Sequence, residues 1–383
     1  MPTRESMDTD VIIVGAGPAG LSLAQALGDT GLSIIIIDQQ GRQALADPAF
    51  DGRDIMLTHR SIRTLADLGV WARLPPIEIS VVKGAQALDG DVMLTASSHG
   101  DAQPDGNLGA VVSNHLIRRA LFECVQQQAN ITLKAGAKVV DAEACQTGAC
   151  VTLSNGKKLA AHLVVAADSH SSTVRTALKI GAEMIVLDKS VLVCRVDHEC
   201  DHGNIATEWI YDEQILTMLP LCGRQSSAAL TVSRDEAKRL AGLSDEALGS
   251  EISDRSLRRL GLLRVVSNSR HVYPVVTSFA KKFTIPGAAL IGDAAISMHS
   301  ATRHGFNLGL VGVATLGQEI CEARRLDLDL VKSGSLRRYE RRHRRSALLL
   351  YRTTNLLVQS CDEGWSPSAR ARHALVELGR GHA

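Results

Sequence analysis

The chain has 383 residues, of which 45% are hydrophobic and 22% charged, a composition that indicates a folded globular protein and excludes a disordered or fibrous one. Its 42 basic and 41 acidic side chains leave a formal charge of +1, which gives no indication of nucleic-acid binding. The eight cysteines form no CxxC pair and no metal-ligand spacing with histidine, and the N-terminus has no apolar signal core. The sequence therefore predicts a cytoplasmic protein without a structural metal.

The N-terminal segment DVIIVGAGPAGLSLAQALGDTGLSIIIID has the pattern of strand, glycine turn, helix and strand. Gly15 permits a tight turn, Gly17 lets the backbone approach a pyrophosphate, and Gly20 allows the helix to pack closely on the strand. Asp38 ends the second strand, where a carboxylate can accept hydrogen bonds from the ribose hydroxyls of an adenosine. Because strands, helix and acid accompany the glycines, the segment predicts a dinucleotide site rather than a merely structural turn.

Two later apolar runs also end in an aspartate. The run Leu163 to Ala167 leads into Asp168, and the run Ala288 to Ile291 leads into Gly292 and Asp293. Each acid either belongs to the nucleotide site or is an ordinary turn residue, since aspartate is common in turns.

Between Gly181 and Phe283 the chain changes to alternating runs separated by polar turns, with a helical stretch from Ser244 to Arg259. This pattern indicates an antiparallel sheet with a helix. With the strand-like run from Ile77 to Leu94, it predicts an inserted substrate domain. Its candidates for an apolar pocket, with core packing as the alternative, are Trp209, Tyr211 and Met218.

Residues 336–358 have the length of one helix and contain seven arginines and one glutamate. Their first half predicts a basic face opposite an apolar stripe. Such a helix either contacts anionic lipid or a partner protein, or packs on the nucleotide-binding domain with a solvated basic face. The stripe consists of Leu336, Tyr339, His343, Ala347, Leu350, Tyr351, Leu357 and Val358.

Three ordered motifs give the chain a family resemblance: GAGPAG, Asp168 after its strand, and GDAAISMHSATRHGFNLGL from Gly292 to Leu310. The chain resembles the flavoprotein aromatic hydroxylases of the para-hydroxybenzoate hydroxylase type. It is most similar to the ubiquinone-biosynthesis hydroxylases, in particular to their demethoxyubiquinol hydroxylase branch. The resemblance covers nearly the whole chain. It implies an α/β fold with C-terminal helices, in which a Rossmann-like FAD-binding domain (1–76, 108–180 and 284–383) carries an inserted antiparallel-sheet substrate domain (77–107 and 181–283).

The resemblance also implies which residues bind FAD. The helix beginning near Gly305 would point free amides at the flavin ring, where about half a positive charge stabilises an anionic reduced flavin. A surface salt bridge of Arg53 and a helix N-cap at Asn114 are the alternatives for those two residues. The implied contacts are Gly15, Gly17, Gly20 and Asp38 at the ADP half, Arg53 near the pyrophosphate and flavin, Asn114 and Arg118 as polar contacts, Asp168 at both FAD and NAD(P)H, Asp293 at the ribityl chain, and Gly305, Phe306 and Asn307 beside the ring.

Three positions depart from the family pattern. Ser169 stands where the family has glycine, so it either holds a glycine-like backbone conformation or the backbone differs there. Ser300 follows His299 in place of a proline that would fix the backbone beside the flavin. Arg303 replaces a small residue, and it either binds an anionic group or the cofactor or points to solvent. His299 and His304 flank this loop, and each is either a general acid or base or a residue that only forms structural hydrogen bonds. We favour His299, and His299 and Arg303 are the predicted catalytic residues.

The resemblance implies an FAD-dependent monooxygenase that uses NAD(P)H and O₂ to hydroxylate the ring of a polyprenylated ubiquinone precursor. One alternative is a hydroxylase of a small soluble aromatic compound. Another is a flavin-binding scaffold protein of a quinone-biosynthesis complex, which the three departures suggest. Because a polyprenyl quinol resides in the bilayer, residues 336–358 are the predicted contact with the inner face of the membrane or with such a complex.

Overall fold

The computed structural model of the protein describes residues 7–89, 92–97, 106–211, 214–298 and 304–359. The strands of these residues are β1 (Thr9–Val14), β2 (Ile34–Asp38), β3 (Asp54–Leu57), β4 (Ser80–Val82), β5 (Gly84–Asp89), β6 (Val92–Ser97), β7 (Gly109–Ser113), β8 (Ile131–Ala135), β9 (Val139–Cys145), β10 (Gly148–Leu153), β11 (Lys158–Ala166), β12 (Ala182–His198), β13 (Ile205–Ile210), β14 (Ile215–Pro220), β15 (Gln225–Ser233), β16 (Leu263–Val265), β17 (His271–Ala280), β18 (Thr284–Ile285), β19 (Ala288–Leu290) and β20 (Ile296–Ser297). The helices are α1 (Pro18–Ala26), α2 (Arg42–Ala46), α3 (His59–Asp67), α4 (Asn114–Gln126), α5 (Thr173–Ala177), α6 (Arg234–Ala241), α7 (Asp245–Arg255), α8 (His304–Arg325) and α9 (Ser335–Gln359).

The first sheet has the order β18-β19-β11-β1-β2-β8, and β10 and β9 extend from β11. Its central strands β19, β11, β1, β2 and β8 are parallel. Val11, Ile12 and Ile13 of β1 are fully buried because both faces of a parallel sheet are covered. Val14 pairs with Ala166, and Ala166 pairs with Leu290, so β1, β11 and β19 end at the same edge. This register brings the glycine turn and the two later aspartates together, as ligand sites in α/β sheets require.

The second sheet has the order β20-β17-β12-β15-β14-β13-β5-β6, with β16 beside β12, and its pairs are antiparallel except for β13 with β5. Helices α6 and α7 cover one face. Trp209 and Met218 are buried in the core on that face, and Tyr211 donates a hydrogen bond from its hydroxyl to the Arg255 carbonyl at 2.6 Å. Core packing is therefore the correct alternative for these three residues.

Helix α7 is shorter than the sequence predicted. Ser244 accepts a hydrogen bond from the backbone N–H of Ala247 at 3.2 Å and so caps the helix, which begins one residue later. The chain leaves the helix after Arg255, because Leu257 and Arg258 have positive φ angles of 54° and 50°. The strand-like run from Ile77 to Leu94 is also divided: β4 joins β3 and β7 in a third sheet, whereas β5 and β6 extend the second.

Helix α9 lies against α8 with its apolar stripe inward. Leu336, Tyr339, His343, Ala347, Leu350 and Tyr351 are all buried, which confirms the predicted stripe over the side chains that the structure describes. The side chains of Leu357 and Val358 are not among those that the structure describes. The Tyr339 hydroxyl donates a hydrogen bond to the Leu290 carbonyl at 2.7 Å and so anchors α9 to β19. In the described parts of the chain, no helix has the length and apolar character needed to cross a membrane.

Candidate active site

A cleft of about 880 Å³ lies where the edge of the first sheet meets the uncovered face of the second. Small-molecule and cofactor sites usually enclose about 300–1,000 Å³. One end is lined by the glycine turn, β2 and the turns after β11 and β19, and the other by β12, β14, β15 and β17. The cleft therefore has the size of a cofactor site and combines residues from both sheets.

The glycine turn shapes a space beside the start of α1. Gly15 has a φ of +111°, and a Cβ there would lie 2.3 Å from the Ala167 carbonyl oxygen. A Cβ on Gly20 would lie 1.9 Å from the Gly15 carbonyl oxygen, so this glycine permits the turn and α1 to touch. By contrast, a Cβ on Gly17 would meet no atom within 4 Å. Since no side chain caps α1, its first amides can bind an anion at that open position.

Asp38 lines the cleft at the end of β2 and holds the glycine turn. Its carboxylate accepts hydrogen bonds from the backbone N–H groups of Ala16 and Gln40, each at 2.7 Å. Arg118 lies nearby, and its guanidinium donates to the Gln40 side-chain oxygen at 3.2 Å. Asp38 and Arg118 thus occupy the same end of the cleft.

Asp51 connects three residues around the middle of the cleft. It accepts hydrogen bonds from Arg53 Nε at 3.0 Å and from Asn114 Nδ2 at 2.8 Å, and its backbone carbonyl accepts one from the Tyr273 hydroxyl at 2.6 Å. Burial raises the pKa of the Asp51 carboxyl, but the hydrogen bonds and charge of Arg53 and the bond from Asn114 outweigh it and leave that pKa below its ordinary value. The carboxylate is therefore ionised at neutral pH.

These contacts bear on the alternatives for Arg53 and Asn114. Arg53 lines the cleft and also forms an ion pair with Asp51, so the salt bridge is present and the cofactor contact stays a prediction. Asn114 is the first residue of α4, and Ser113 occupies the N-cap position. The N-cap interpretation of Asn114 was therefore wrong, because its side chain bonds to Asp51 instead.

The two aspartates that end strands of the first sheet both line the cleft. Asp168 has a buried Oδ1 with no hydrogen-bond partner in the described residues, while its Oδ2 accepts from the Val174 N–H at 3.4 Å. Asp293 is exposed to the cleft, and desolvation by the protein around it raises the pKa of its carboxyl against the charges of Arg53 and His170. Both aspartates line the cleft, where a carboxylate can accept hydrogen bonds from ligand hydroxyls, such as those of a ribose or ribityl chain.

Gly305 and Phe306, in the first turn of α8, line the cleft beside Met298. Asn307 is buried behind this wall: its Nδ2 donates to the Met56 carbonyl at 2.8 Å, and its Oδ1 accepts from the Thr58 N–H at 3.1 Å. These two bonds hold α8 against the start of α3, so Asn307, like Gly20, supports the cleft from behind and does not line it. His299, Ser300 and Arg303 lie outside the described residues, as does the side chain of His304.

Ser169 lines the cleft without a glycine-like backbone. Its φ angle is negative, so its backbone lies outside the left-handed region that favours glycine. Its hydroxyl lies 3.1 Å from that of Ser171. Serine therefore does not hold a glycine-like conformation at this position, and the alternative that the backbone differs there is correct.

The wall that the second sheet contributes to the cleft is mostly aliphatic. Tyr273 is its titratable residue, and among the described residues this wall carries no charged side chain. Sequence patterns could not identify these positions, because alternate residues of β12, β14 and β15 enter the core beneath α6 and α7 and are apolar too. The wall comprises Val191, Val193, Thr217, Leu219, Ser227, Ala229, Tyr273, Pro274, Val275 and Val276.

Comparison with known proteins assigns the family. A model described as an FAD binding domain matches residues 8–348. Ubiquinone hydroxylase UbiM of Neisseria meningitidis is 35% identical over 98% of this chain and 82% of its own length, and ubiquinone hydroxylase UbiL of Rhodospirillum rubrum is 32% identical over 97% and 86%. The structure of Pseudomonas aeruginosa PqsL in complex with 2-aminobenzoylacetate has the same fold, with a TM-score of 0.82 at 18% identity over 96% of this chain and 99% of that one. The chain therefore belongs to the family of FAD-binding monooxygenases, with FAD as its cofactor.

Proposed function

We propose that this protein hydroxylates the aromatic ring of a polyprenylated ubiquinone precursor, with NAD(P)H and O₂ as co-substrates. The observation that carries the proposal is the uncharged, mostly aliphatic wall of the cleft. Such a wall accommodates a neutral ring and a prenyl tail, and its described residues offer no cation to a substrate carboxylate. This favours a prenylated quinol over a small aromatic acid, and the ubiquinone hydroxylases among the relatives support the same choice.

FAD, when bound, would supply the activation of O₂ and the oxygen transfer, and the chain's residues would hold it. In this proposal the N-terminus of α1 and Gly17 bind the pyrophosphate, Asp38 and Arg118 face the adenosine end, and Gly305 and Phe306 lie beside the ring. Arg53 and Asp293 lie between the adenosine end and the flavin ring, and Arg53 is held by Asp51, to which Asn114 also donates a hydrogen bond. Asp168 would contact NAD(P)H as well as FAD. Gly20 and Asn307 position these elements. His299 and Arg303 remain the proposed catalytic residues of the segment before α8.

The proposed domain division follows the two large sheets, except that β20 joins the second sheet and β4 pairs with β7 of the FAD-binding part. Residues 1–76, 108–180 and 284–383 form the FAD-binding domain, and residues 77–107 and 181–283 form the substrate domain. In support, the parallel sheet carries the glycine turn, while the second sheet contributes the aliphatic wall. The cleft between them would exclude water from the reacting ring.

The function is tested by NAD(P)H oxidation of the FAD-loaded protein with a short-chain demethoxyubiquinol analogue, with product identified by mass spectrometry. We expect product in proportion to the oxidised nucleotide. A simple phenol and an aromatic acid serve as comparison substrates, and faster turnover of either would favour the soluble-aromatic alternative. Bound FAD without substrate-stimulated oxidation would favour the scaffold alternative.

Helix α9 supports a peripheral contact with the inner face of the membrane. Arg337, Arg341, Arg345 and Arg352 are exposed, and within the described residues none of them forms an ion pair. Arginines near an anionic bilayer each contribute about 1 kcal/mol to binding. We expect sedimentation with anionic but not neutral vesicles, and its loss in the Arg337→Glu, Arg341→Glu, Arg345→Glu variant. Absence of vesicle binding together with retention by an acidic protein complex would favour the complex instead.

A further inference from the structure

Asp51 is not among the described residues that line the cleft, yet it holds Arg53, which is. Its Oδ2 accepts hydrogen bonds from Arg53 Nε at 3.0 Å and from Arg53 Nη2, and its Oδ1 accepts one from the Arg53 backbone N–H at 3.2 Å. The Arg53 side chain is 51% exposed, whereas that of Asp51 is 18% exposed. A ligand in the cleft therefore meets the guanidinium and not the carboxylate behind it.

Asp51 is itself fixed by contacts with both large parts of the structure. Asn114, at the start of α4, donates from Nδ2 to Asp51 Oδ2 at 2.8 Å, and the Tyr273 hydroxyl of β17 donates to the Asp51 backbone carbonyl at 2.6 Å. The next residue, Gly52, has a left-handed φ of +74°, and a Cβ there would lie 2.7 Å from His271 Cδ2. The carboxylate is therefore held in place independently of the arginine side chain that it binds.

The ion pair with Asp51 leaves part of the Arg53 guanidinium for a ligand. A guanidinium has five N–H donors in a planar fork. Asp51 accepts from Nε and Nη2, which form one edge of the fork, so three N–H groups on the two Nη atoms are not used by the carboxylate. Parallel N–H groups of this kind bind two oxygens of one phosphate. The Tyr273 ring, with its centre 5.8 Å from the guanidinium carbon, also restricts the orientation of Arg53.

We propose that Asp51 is a positioning residue for FAD, which orients Arg53 so that the two Nη groups bind the diphosphate. A long side chain that is already ordered loses less conformational freedom when the ligand binds. Without the carboxylate, Arg53 would keep its charge and lose its orientation. The inference rests on the placement of FAD in the proposed function.

Orientation and charge predict opposite effects of Asp51→Asn. The substitution keeps the shape of the side chain and removes a negative charge that repels a diphosphate. If the charge of Asp51 were its main effect, FAD would bind more tightly to the variant. Because Asp51 orients Arg53, we expect FAD to bind about tenfold more weakly, which corresponds to the effect of ordering one long side chain.

Asp51→Glu separates the two effects in a second way. It keeps the negative charge but moves the carboxylate by one methylene group, so orientation predicts weaker FAD binding and charge predicts no change. Asp47→Asn is the matched control, because Asp47 pairs with Arg119 at 2.5 Å and is not among the described residues that line the cleft. This control should bind FAD like the wild type.

The experiment titrates the full-length chain, freed of FAD, with FAD by fluorescence and with ADP by calorimetry. The thermal midpoint of each variant shows that it is folded. ADP contains the diphosphate without the flavin, so Asp51→Asn and Asp51→Glu should weaken both ligands by similar factors. In an Arg53→Met background, Asp51→Asn should no longer weaken either ligand, because only the repulsion of the diphosphate is then removed.

Three results would overturn the inference. They are unchanged or tighter FAD binding in Asp51→Asn, weaker binding of FAD with unchanged binding of ADP, and the same tenfold weakening in the Arg53→Met background. The last result would show that Asp51 acts on its loop and not through Arg53. Because these titrations involve no turnover, absence of quinol hydroxylation by the wild type would overturn the proposed function and leave the role of Asp51 to be decided by binding alone.

Discussion

Arg195 of β12 forms a two-bonded ion pair with Asp54 of β3, with Nη2–Oδ1 at 2.8 Å and Nε–Oδ2 at 3.2 Å. The Asp54 side chain is fully buried and also accepts a hydrogen bond from the Ser113 hydroxyl at 2.5 Å. The guanidinium lies 4.7 Å from the centre of the Phe50 ring. One arginine thus joins the second sheet to the third beside the cleft.

Breaking this pair should destabilise the protein, because Asp54 would remain buried without its cation. We expect Arg195→Met to lower the free energy of unfolding by about 3 kcal/mol, since removal of one partner of a buried pair costs about 3–5 kcal/mol and Arg195 is partly exposed. Urea unfolding measures this change. The control is Lys238→Met, which breaks an exposed pair with Asp235 and should change stability by less than about 0.5 kcal/mol. Equal effects of the two substitutions would contradict this role of Arg195.

The glycine turn allows binding of FAD to be separated from folding. A Cβ on Gly17 would meet no protein atom, whereas one on Gly20 would collide with the Gly15 carbonyl. We expect Gly17→Ala to leave the thermal midpoint of the apoprotein unchanged but to weaken FAD binding at least tenfold, because the methyl group occupies the proposed phosphate position. Gly20→Ala should lower the midpoint of the apoprotein itself. The comparison uses thermal denaturation and fluorescence titration with FAD, and normal FAD affinity in Gly17→Ala would exclude the proposed phosphate position.

Sequence alone could predict the parts of the site that depend on local order along the chain. The β1–α1–β2 unit with Gly15, Gly17 and Asp38 was confirmed as a local structure, because its glycine spacing and apolar runs lie within one continuous segment. Asp51 could not be identified in this way. Its environment depends on Asn114, a partner far along the chain, and such pairing leaves no periodic signal.

The same limit explains the errors in individual roles. Asn307 follows two residues that line the cleft, but the helical rotation turns its side chain toward Met56 and Thr58 of another segment. The run from Ile77 to Leu94 has strand character throughout, yet Lys83 separates two strands that join different sheets. Periodicity predicted the type of each element here and could not predict its partner.

His343 should make the stability of the protein sensitive to acid. Its side chain lies on α9 and is buried against α8. Burial lowers the pKa of its imidazole from 6.5 to about 4, and the charge of Arg60 makes a smaller contribution in the same direction. The folded state therefore holds His343 neutral, while the unfolded chain binds a proton below pH 6.5. Its contribution is present above that pH and is lost as the pH falls toward the folded value of about 4, by a total of about 3 kcal/mol at 1.36 kcal/mol per pKa unit.

Replacement of His343 by phenylalanine tests this assignment. The ring stacks on Tyr339 and contacts Phe283, so an aromatic substitute preserves much of the packing. We expect the variant to lose less stability than the wild type between pH 6.5 and 4, as measured by urea unfolding at several pH values. An identical pH dependence in both proteins would place the acid sensitivity in other groups.

Replacement of Asp168 should stabilise the apoprotein but weaken the binding of FAD. Its Oδ1 is buried without a partner in the described residues, and an unsatisfied buried polar group costs about 1–3 kcal/mol. We expect Asp168→Ala to raise the free energy of unfolding of the apoprotein by about 1 kcal/mol, since the bond from the Val174 N–H to Oδ2 is long at 3.4 Å and contributes little. The additional stability that FAD confers on the wild type should shrink in the variant, because the proposed ligand contact is gone. Urea unfolding with and without FAD measures both quantities. A less stable apoprotein would instead show that Asp168 stabilises the turn before α5. A more stable apoprotein with weaker stabilisation by FAD would show that the protein retains an unfavourable buried carboxylate because the ligand requires it.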